Sequence, residues 1–141
     1  MSNTLRTRPL ADEWAPYVLS ILRIVTALIF LLHGTQKLFG IPARSAAGTG
    51  PEMFTQLWYG GILEVVGGAL LLIGLFSRPV AFVLSGMMAV AYWQFHFPRN
   101  IFPTLNGGDA AILYCFIVLY IAGAGGGAWA VERIGRNVTD V

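Results

Sequence analysis

A long apolar run near the start of the chain, interrupted by charges, limits what the sequence can fold into. From Tyr17 to Phe39 the run reaches roughly the 20 apolar residues that an α-helix needs to cross a bilayer core of about 30 Å. Arg23 is the strongly charged residue within this run, and Lys37 follows near its far end. Because a charge inside a membrane is costly unless it faces other helices or a wet cavity, the run predicts a spanning helix with a functional face.

The polar residues of this helix gather toward one side. At about 100° per residue, Lys37 lies about 40° and His33 about 80° of arc from Arg23. Phe30 and Gly34 lie close to the same line. Since glycine has no side chain, we expect Gly34 to leave a gap beside His33 into which a ring could enter. The pattern therefore predicts that His33 lines a cavity.

The whole chain has the composition of a membrane protein. Hydrophobic residues make up 56% of the 141 residues and charged residues 11%, against about 25% charged in an average soluble domain. The apolar runs predict an all-α, integral membrane four-helix bundle that forms a single domain over residues 1–141, with spans at about 17–39, 56–76, 80–97 and 108–124. Residues 1–16 lack a short apolar core with a small-residue cleavage site, so we expect no removable signal peptide.

Charge and cysteine content argue against several classes of function. The net charge is +2 and no basic run is present, so we expect no nucleic-acid partner. Cys115 is the single cysteine, which excludes an internal disulfide and a CxxC redox pair. The sequence has no flavin motif, nucleotide loop or cysteine metal cluster, so we expect no metal site, and electrons for any redox reaction would come from a partner protein.

Glycines mark one side of the second predicted helix. Gly60, Gly67 and Gly68 fall on a stripe with Glu64, which is the charged residue of that helix. Small residues let helix backbones approach closely in lipid, so Glu64 should face other helices. Residues 77–79, Ser-Arg-Pro, predict a tight turn that makes the second and third helices antiparallel neighbours.

The distribution of lysine and arginine outside the spans predicts the orientation. Five arginines fall on the side of both termini and three basic residues on the other: Arg6, Arg8, Arg78, Arg133 and Arg136 against Lys37, Arg44 and Arg99. Because cytoplasmic loops carry the excess of Lys and Arg, this bias predicts cytoplasmic termini in a bacterial cytoplasmic (inner) membrane.

Three stretches resemble the DoxX family of small four-helix membrane proteins: LRIVTALIFLLHGTQKLFG, GGILEVVGGALLLIGLFSRPVA and GAGGGAWAVERI. The matching residues are Arg23, Gly34, Lys37, Glu64, Gly67, Gly74 and Arg78. The resemblance implies the fold and the membrane location. It also implies a link to quinone chemistry, because the family includes small membrane subunits of a thiosulfate:quinone oxidoreductase alongside members of oxidative-stress membrane complexes.

Two site hypotheses follow from the polar residues. Arg23 and Glu64, on adjacent helices, could form a buried charge pair, although a difference in depth of about 9 Å would require an extended arginine or a bridging water. An outer pocket could be formed by six residues: His33, Lys37, Glu64, Trp93, His96 and Asp109. Its His, Lys and Asp side chains could hydrogen-bond quinone oxygens and exchange protons.

These hypotheses lead to two alternative functions. The first is a small subunit of a quinone-linked oxidoreductase that binds a quinone or a similar molecule and depends on a partner oxidoreductase or a second copy of the chain. The second is a non-enzymatic membrane scaffold or assembly factor. His33 and His96 could also be axial haem ligands. We do not expect haem, because His96 lies in the aromatic stretch that ends its helix, where an interfacial histidine is the more ordinary interpretation.

Overall fold

The computed structural model describes residues 10–43 and 50–134, and this part of the chain is built from helices without strands. Five α-helices follow one another: α1 Leu10–Phe39, α2 Gln56–Ile73, α3 Ser77–Ala91, α4 Pro103–Asn106 and α5 Asp109–Ala124. A π-helical turn, Tyr92–His96, continues α3, and residues 131–134 are helical again. The prediction of an all-α fold is confirmed.

Two of these helices have the length and composition to cross a membrane. They are Asp12–Phe39 within α1 and the whole of α2, whereas the apolar helix α5 is shorter. Large apolar side chains cover much of the outer surface, including Leu32, Phe82 and Phe116, each more than half exposed. Contiguous apolar surface of this kind marks contact with a membrane or with other proteins.

Helix α1 begins at Leu10, seven residues before the predicted start at Tyr17. Asp12 and Glu13 lie in its first turn, where carboxylates complement the positive end of the helix dipole. Pro16 lies inside this helix, in its second turn. Because its nitrogen carries no hydrogen, Pro16 cannot donate to the carbonyl of Asp12, so α1 lacks one backbone hydrogen bond at this point.

Helices α1 and α2 pack closely as an antiparallel pair because glycines line their contact. A Cβ atom on Gly34 would lie 2.9 Å from the carbonyl oxygen of Gly61, and one on Gly68 would lie 3.1 Å from that of Ala27. Glu64 is buried on the same side of α2, as the glycine stripe predicted. An added Cβ at Gly34 would clash with the backbone of α2, and one at Gly68 would require the neighbouring atoms of α1 to shift by a few tenths of an ångström.

Two details of this contact differ from the sequence interpretation. Gly34 leaves no gap beside His33, because Val65 of α2 occupies the space; a Cβ on Gly34 would lie 2.7 Å from its Cγ2 atom. Gly60 lies off the contact, and a Cβ there would meet nothing within 4 Å.

The turn between α2 and α3 falls earlier than predicted. Gly74 adopts the left-handed conformation with φ of 73°, and its N–H donates to the carbonyl of Leu70 at 3.0 Å, which ends α2 at Ile73. Residues 77–79, predicted as the turn, instead form the first turn of α3, where Pro79 costs little. The short connection still leaves α2 and α3 packed against each other.

The core lies where α1, α2, α3 and α5 meet, and eight apolar side chains form it: Ala27, Phe30, Leu71, Ala81, Leu84, Met88, Val118 and Ile121. The segment after α5 crosses the N-terminal half of α1. The N–H of Ala128 donates to the carbonyl of Pro16, and the N–H of Trp129 donates to Ser20 Oγ, each at 3.0 Å. These bonds hold the segment after α5 across one end of the molecule.

Candidate functional site

A cavity of about 220 Å³ lies at the end of the molecule where α1 ends and α5 begins. Residues of α1, α2, α3, the π-helical turn and α5 line it. Four polar or charged side chains, His33, Lys37, Glu64 and His96, contribute to a lining that is otherwise largely apolar. We call this space the outer cavity.

An ion pair joins α1 to α2 beside the outer cavity. Lys37 Nζ lies 2.6 Å from Glu64 Oε1, and the side chain of Glu64 is only 4% exposed while that of Lys37 is 34% exposed. The second carboxylate oxygen, Glu64 Oε2, is buried and accepts no hydrogen bond from the described residues. Because an ionised carboxylate oxygen is a strong acceptor, leaving it buried without a donor costs about 1–3 kcal/mol or more.

His96 reaches the cavity from the π-helical turn. Its Nδ1–H donates to the carbonyl oxygen of Asn106 at 3.2 Å, which fixes the tautomer of the neutral ring and leaves Nε2 as an acceptor. The ring of Tyr92 stacks on the imidazole with an interplanar angle of 16°. π-Helical turns often occur at functional sites, where the additional residue changes the direction of a side chain.

The start of α5 packs directly on this turn because Gly108 has no side chain. A Cβ atom there would lie 2.8 Å from His96 Cβ and 2.7 Å from Asn106 Oδ1. The N–H of Gly108 donates to Asn106 Oδ1 at 2.7 Å, and Asn106 Nδ2 donates to the carbonyl of Asn100 at 2.7 Å. These contacts hold the histidine and the α4–α5 loop in one arrangement.

Arg23 does not pair with Glu64, and this prediction is wrong. Its Nε donates to the carbonyl of Gly126 at 2.7 Å, Nη1 donates to the carbonyls of Leu71 and Leu72, the latter at 2.7 Å, and Nη2 donates to that of Trp129 at 3.3 Å. The guanidinium is fully buried, and the carboxylate that interacts with it electrostatically is that of Glu132.

The helix register explains this change of partners. Since α1 and α2 run antiparallel with Gly34 against Gly61, Lys37 lies level with the first half of α2, where Glu64 can reach it. Arg23, about four turns earlier in α1, lies level with the C-terminal end of α2, where its guanidinium donates to the carbonyls of Leu71 and Leu72.

The sequence model of the DoxX family matches residues 18–97, more than half of the chain. The chain belongs to the DoxX family. It is also similar to a protein from Haemophilus influenzae named only as an uncharacterized protein, with 41% identity over 125 residues that cover 86% of this chain and 93% of the relative. No solved structure matches the chain.

The DoxX match includes the four polar residues of the outer cavity. His33, Lys37, Glu64 and His96 all lie within residues 18–97, whereas the α5 residues of the lining lie beyond the match. The protein is thus a DoxX-family membrane protein in which the matched region supplies the polar groups.

Two of the six residues predicted for the pocket lie outside the lining of the outer cavity. The ring of Trp93 packs on that of Phe97, with centroids 4.7 Å apart, and its side chain is 60% exposed. Asp109 is exposed in the first turn of α5, where it complements the helix dipole. Both residues lie near the cavity in sequence, but their helical phase directs them elsewhere.

The structure adds aromatic residues that the sequence analysis did not assign to the site. Phe30, which is buried, and Tyr114 both line the cavity, and their ring centroids lie 5.6 Å apart. For Phe30, the sequence did carry a signal, because it lies on the same side of α1 as Lys37. Tyr114 gave no such signal, because α5 is apolar all round and its sequence does not reveal which face meets the other helices.

Within residues 10–43 and 50–134, no group of three or more His, Cys, Asp or Glu side chains is arranged to hold a metal ion. Wider clefts open at the opposite end of the molecule, including one of about 540 Å³ between the start of α1 and the segment after α5. The arginines beside that cleft, Arg78 and Arg133, are exposed. The outer cavity is distinguished by its buried, incompletely bonded carboxylate.

Proposed function

We propose that this DoxX-family protein is a small membrane subunit that holds a quinone headgroup, or a similar small polar-tipped molecule, in the outer cavity. The observation that carries the proposal is the buried Glu64 carboxylate, which lines the cavity with one oxygen paired to Lys37 and the other without a donor in residues 10–43 and 50–134. Buried polar groups are normally satisfied, and a carboxylate oxygen beside a cavity can bond to a ligand that enters it.

The size and lining of the cavity fit a single ring. Its volume of about 220 Å³ is below the roughly 300–1,000 Å³ of sites for drug-sized ligands, so it suits a headgroup whose tail lies outside. Phe30 and Tyr114 offer aromatic surface to such a ring, and the four polar residues can form hydrogen bonds with its oxygens. His33 is exposed and lies at the edge of the lining, where it can contact a ligand without supporting the fold.

The proposed arrangement in the membrane has four spans. α1 and α2 supply two, α3 with its π-helical turn supplies the third, and the apolar helix α5 the fourth. With both termini in the cytoplasm of a bacterial cell, the outer cavity opens toward the outer leaflet of the cytoplasmic membrane. A lipid-soluble quinone could then enter it from the bilayer.

The redox partner is proposed to be another protein. A chain without a flavin, nucleotide or cysteine-cluster motif can bind and orient a quinone and exchange protons with it, but the electrons must come from elsewhere. A partner oxidoreductase, or a second copy of this chain within a larger complex, would face the membrane-exposed helices.

Ligand retention tests the proposal. The full chain is purified in mild detergent, and its organic extract is analysed for quinones. His33→Ala should reduce the quinone retained per folded molecule at least several-fold while leaving the melting temperature almost unchanged, because the side chain is exposed. Leu32→Ala, at an exposed neighbouring position outside the cavity lining, is the matched control and should retain the quinone.

Two outcomes would contradict the proposal. One is a fall in melting temperature for His33→Ala with unchanged quinone per folded molecule, which would assign the histidine to packing. The other is purification with a stoichiometric protein partner and no bound small molecule, which would favour the scaffold function instead.

A further inference from the structure

The hydrogen-bonding groups of the outer cavity include acceptors that have no donor among the described residues. Glu64 Oε2 is buried and has none, and the Lys37 ammonium bonds to the other oxygen, Oε1. The contact between Lys37 and Glu64 is short, which is the geometry of an ionised carboxylate facing an ammonium group. The carboxylate therefore presents an acceptor, and an ionised carboxylate has no proton to donate.

His96 presents a second acceptor to the same cavity. Because Nδ1 donates to the carbonyl of Asn106, the remaining nitrogen of the neutral ring, Nε2, carries a lone pair. The stacking of Tyr92 and the tight packing of Gly108 hold this ring in place, so exchanging the two nitrogens would require the loop and the π-helical turn to move.

The donor beside Glu64 is Lys37, whose ammonium carries three N–H groups and uses one of them for the Glu64 carboxylate. A ligand oxygen that lies between Lys37 and Glu64 must accept from the first and donate to the second. A hydroxyl group can do both, since it has one O–H and two lone pairs, whereas a carbonyl oxygen can only accept.

The geometry points to a hydrogen-bond-donating ligand, with the outer cavity binding the hydroxyl of a hydroquinone in preference to the carbonyl of the corresponding quinone. This inference rests on the proposed function, because it specifies which redox form the same cavity prefers. In the complex, a hydroquinone O–H donates to Glu64 Oε2, and Lys37 donates to the same oxygen. At this oxygen the oxidised ring gains the bond from Lys37 but cannot donate to Glu64 Oε2, which then has no donor among the described residues.

Paired titrations test this preference. Duroquinone and durohydroquinone are titrated anaerobically into the full chain in nanodiscs, and their dissociation constants are compared. The dimethyl ether of durohydroquinone, which keeps the ring and both oxygens but cannot donate, is titrated in parallel. A hydrogen bond to a charged acceptor corresponds to about a 10- to 100-fold change in affinity, so durohydroquinone should bind at least tenfold more tightly than either of the other two ligands.

A substitution of Glu64 tests whether its carboxylate causes the preference for the hydroquinone. Glu64→Gln keeps the size of the side chain but replaces the charged acceptor by an amide, and the ratio of the two dissociation constants should fall by about tenfold or more. Glu52→Gln, at an exposed position before α2, makes the same chemical change away from the cavity and should keep the wild-type ratio. If Glu64→Gln does not fold, the comparison of the three ligands on the wild-type protein still decides the question.

The outcomes separate this inference from the proposed function. Equal binding of both redox forms, or tighter binding of duroquinone, overturns the donor preference while leaving a ring-binding cavity in place. Retention of the full preference in Glu64→Gln also overturns it, because the acceptor would then lie elsewhere. Binding of none of the three ligands overturns both proposals.

Discussion

Arg23 shows how a full charge can be accommodated inside this protein. Its guanidinium donates to four carbonyl oxygens, two at the end of α2 and two in the segment after α5. The last carbonyl groups of a helix have no helical donor and carry the negative end of the helix dipole, so they stabilise a cation placed there. Arg23 therefore joins α1 to the end of α2 and to the segment after α5 through carbonyl oxygens, of which that of Leu71 also accepts from the N–H of Gly74.

Double-mutant cycles of thermal or denaturant unfolding should show that Glu64 is energetically coupled to Lys37 and not to Arg23. Lys37→Met and Glu64→Gln should be coupled by about 0.5–3 kcal/mol, because each residue is the other's hydrogen-bond partner. Arg23 and Glu64 do not bond to each other, so the losses of unfolding free energy caused by Arg23→Ala and Glu64→Gln should add within about 0.5 kcal/mol. Strong coupling between Arg23 and Glu64, with additivity between Lys37 and Glu64, would restore the pairing that the sequence suggested.

At the scale of the elements, the contact between α1 and α2 depends on glycines rather than on large side chains. Gly34, Gly61 and Gly68 bring the two backbones together, and this close approach carries Lys37 to Glu64. The ion pair of the outer cavity is thus a consequence of helix packing. Any side chain that separates the helices should also separate the two charges.

Gly34→Ala tests this dependence. The added Cβ would lie 2.8 Å from the backbone nitrogen of Val65 and 2.9 Å from the Gly61 carbonyl oxygen, and neither backbone atom can move aside cheaply. We expect a loss of about 1–3 kcal/mol, measured by unfolding in a fixed detergent.

The matched control for this substitution lies on the facing helix. Gly60→Ala introduces the same methyl group where no atom lies within 4 Å, so it should leave stability unchanged or raise it by up to about 1 kcal/mol through helix propensity. Equal losses at the two positions would mean that backbone flexibility, not the close contact, explains the need for glycine.

For the whole molecule, the orientation in the membrane decides which compartment the outer cavity faces. The five-to-three bias of basic residues predicts cytoplasmic termini, although four of the eight, Arg6, Arg8, Arg44 and Arg136, lie outside the described residues. Labelling with a membrane-impermeant thiol reagent in intact cells tests the prediction in a Cys115→Ala background. Ala43→Cys should be labelled from outside, and Glu13→Cys only after the cells are opened. The reverse pattern would place the cavity on the cytoplasmic side.

The sequence by itself determined the helical class, the approximate helices and the polar residues of the candidate site. The apolar runs are long, the glycines of α2 fall at helical spacing, and charges within apolar runs are conspicuous. Helix ends were less well predicted, as at Leu10 and Gly74. A proline such as Pro16 can lie before or inside a helix, and a glycine can lie within a helix or end it in the left-handed conformation, so the sequence pattern alone does not fix either end.

Only the tertiary structure decided which charges meet. The register of two antiparallel helices is set by where their backbones can approach, and that depends on pairs of residues far apart in the chain, such as Gly34 with Gly61. A shift of one turn would give Glu64 a different partner, so periodicity within each helix could place Arg23 and Glu64 on inward faces without pairing them correctly. Tyr114 lines the outer cavity because the packing of α5, which is apolar all round, decides which of its faces meets the other helices, whereas the helical phase of Trp93 and Asp109 directs them away from it.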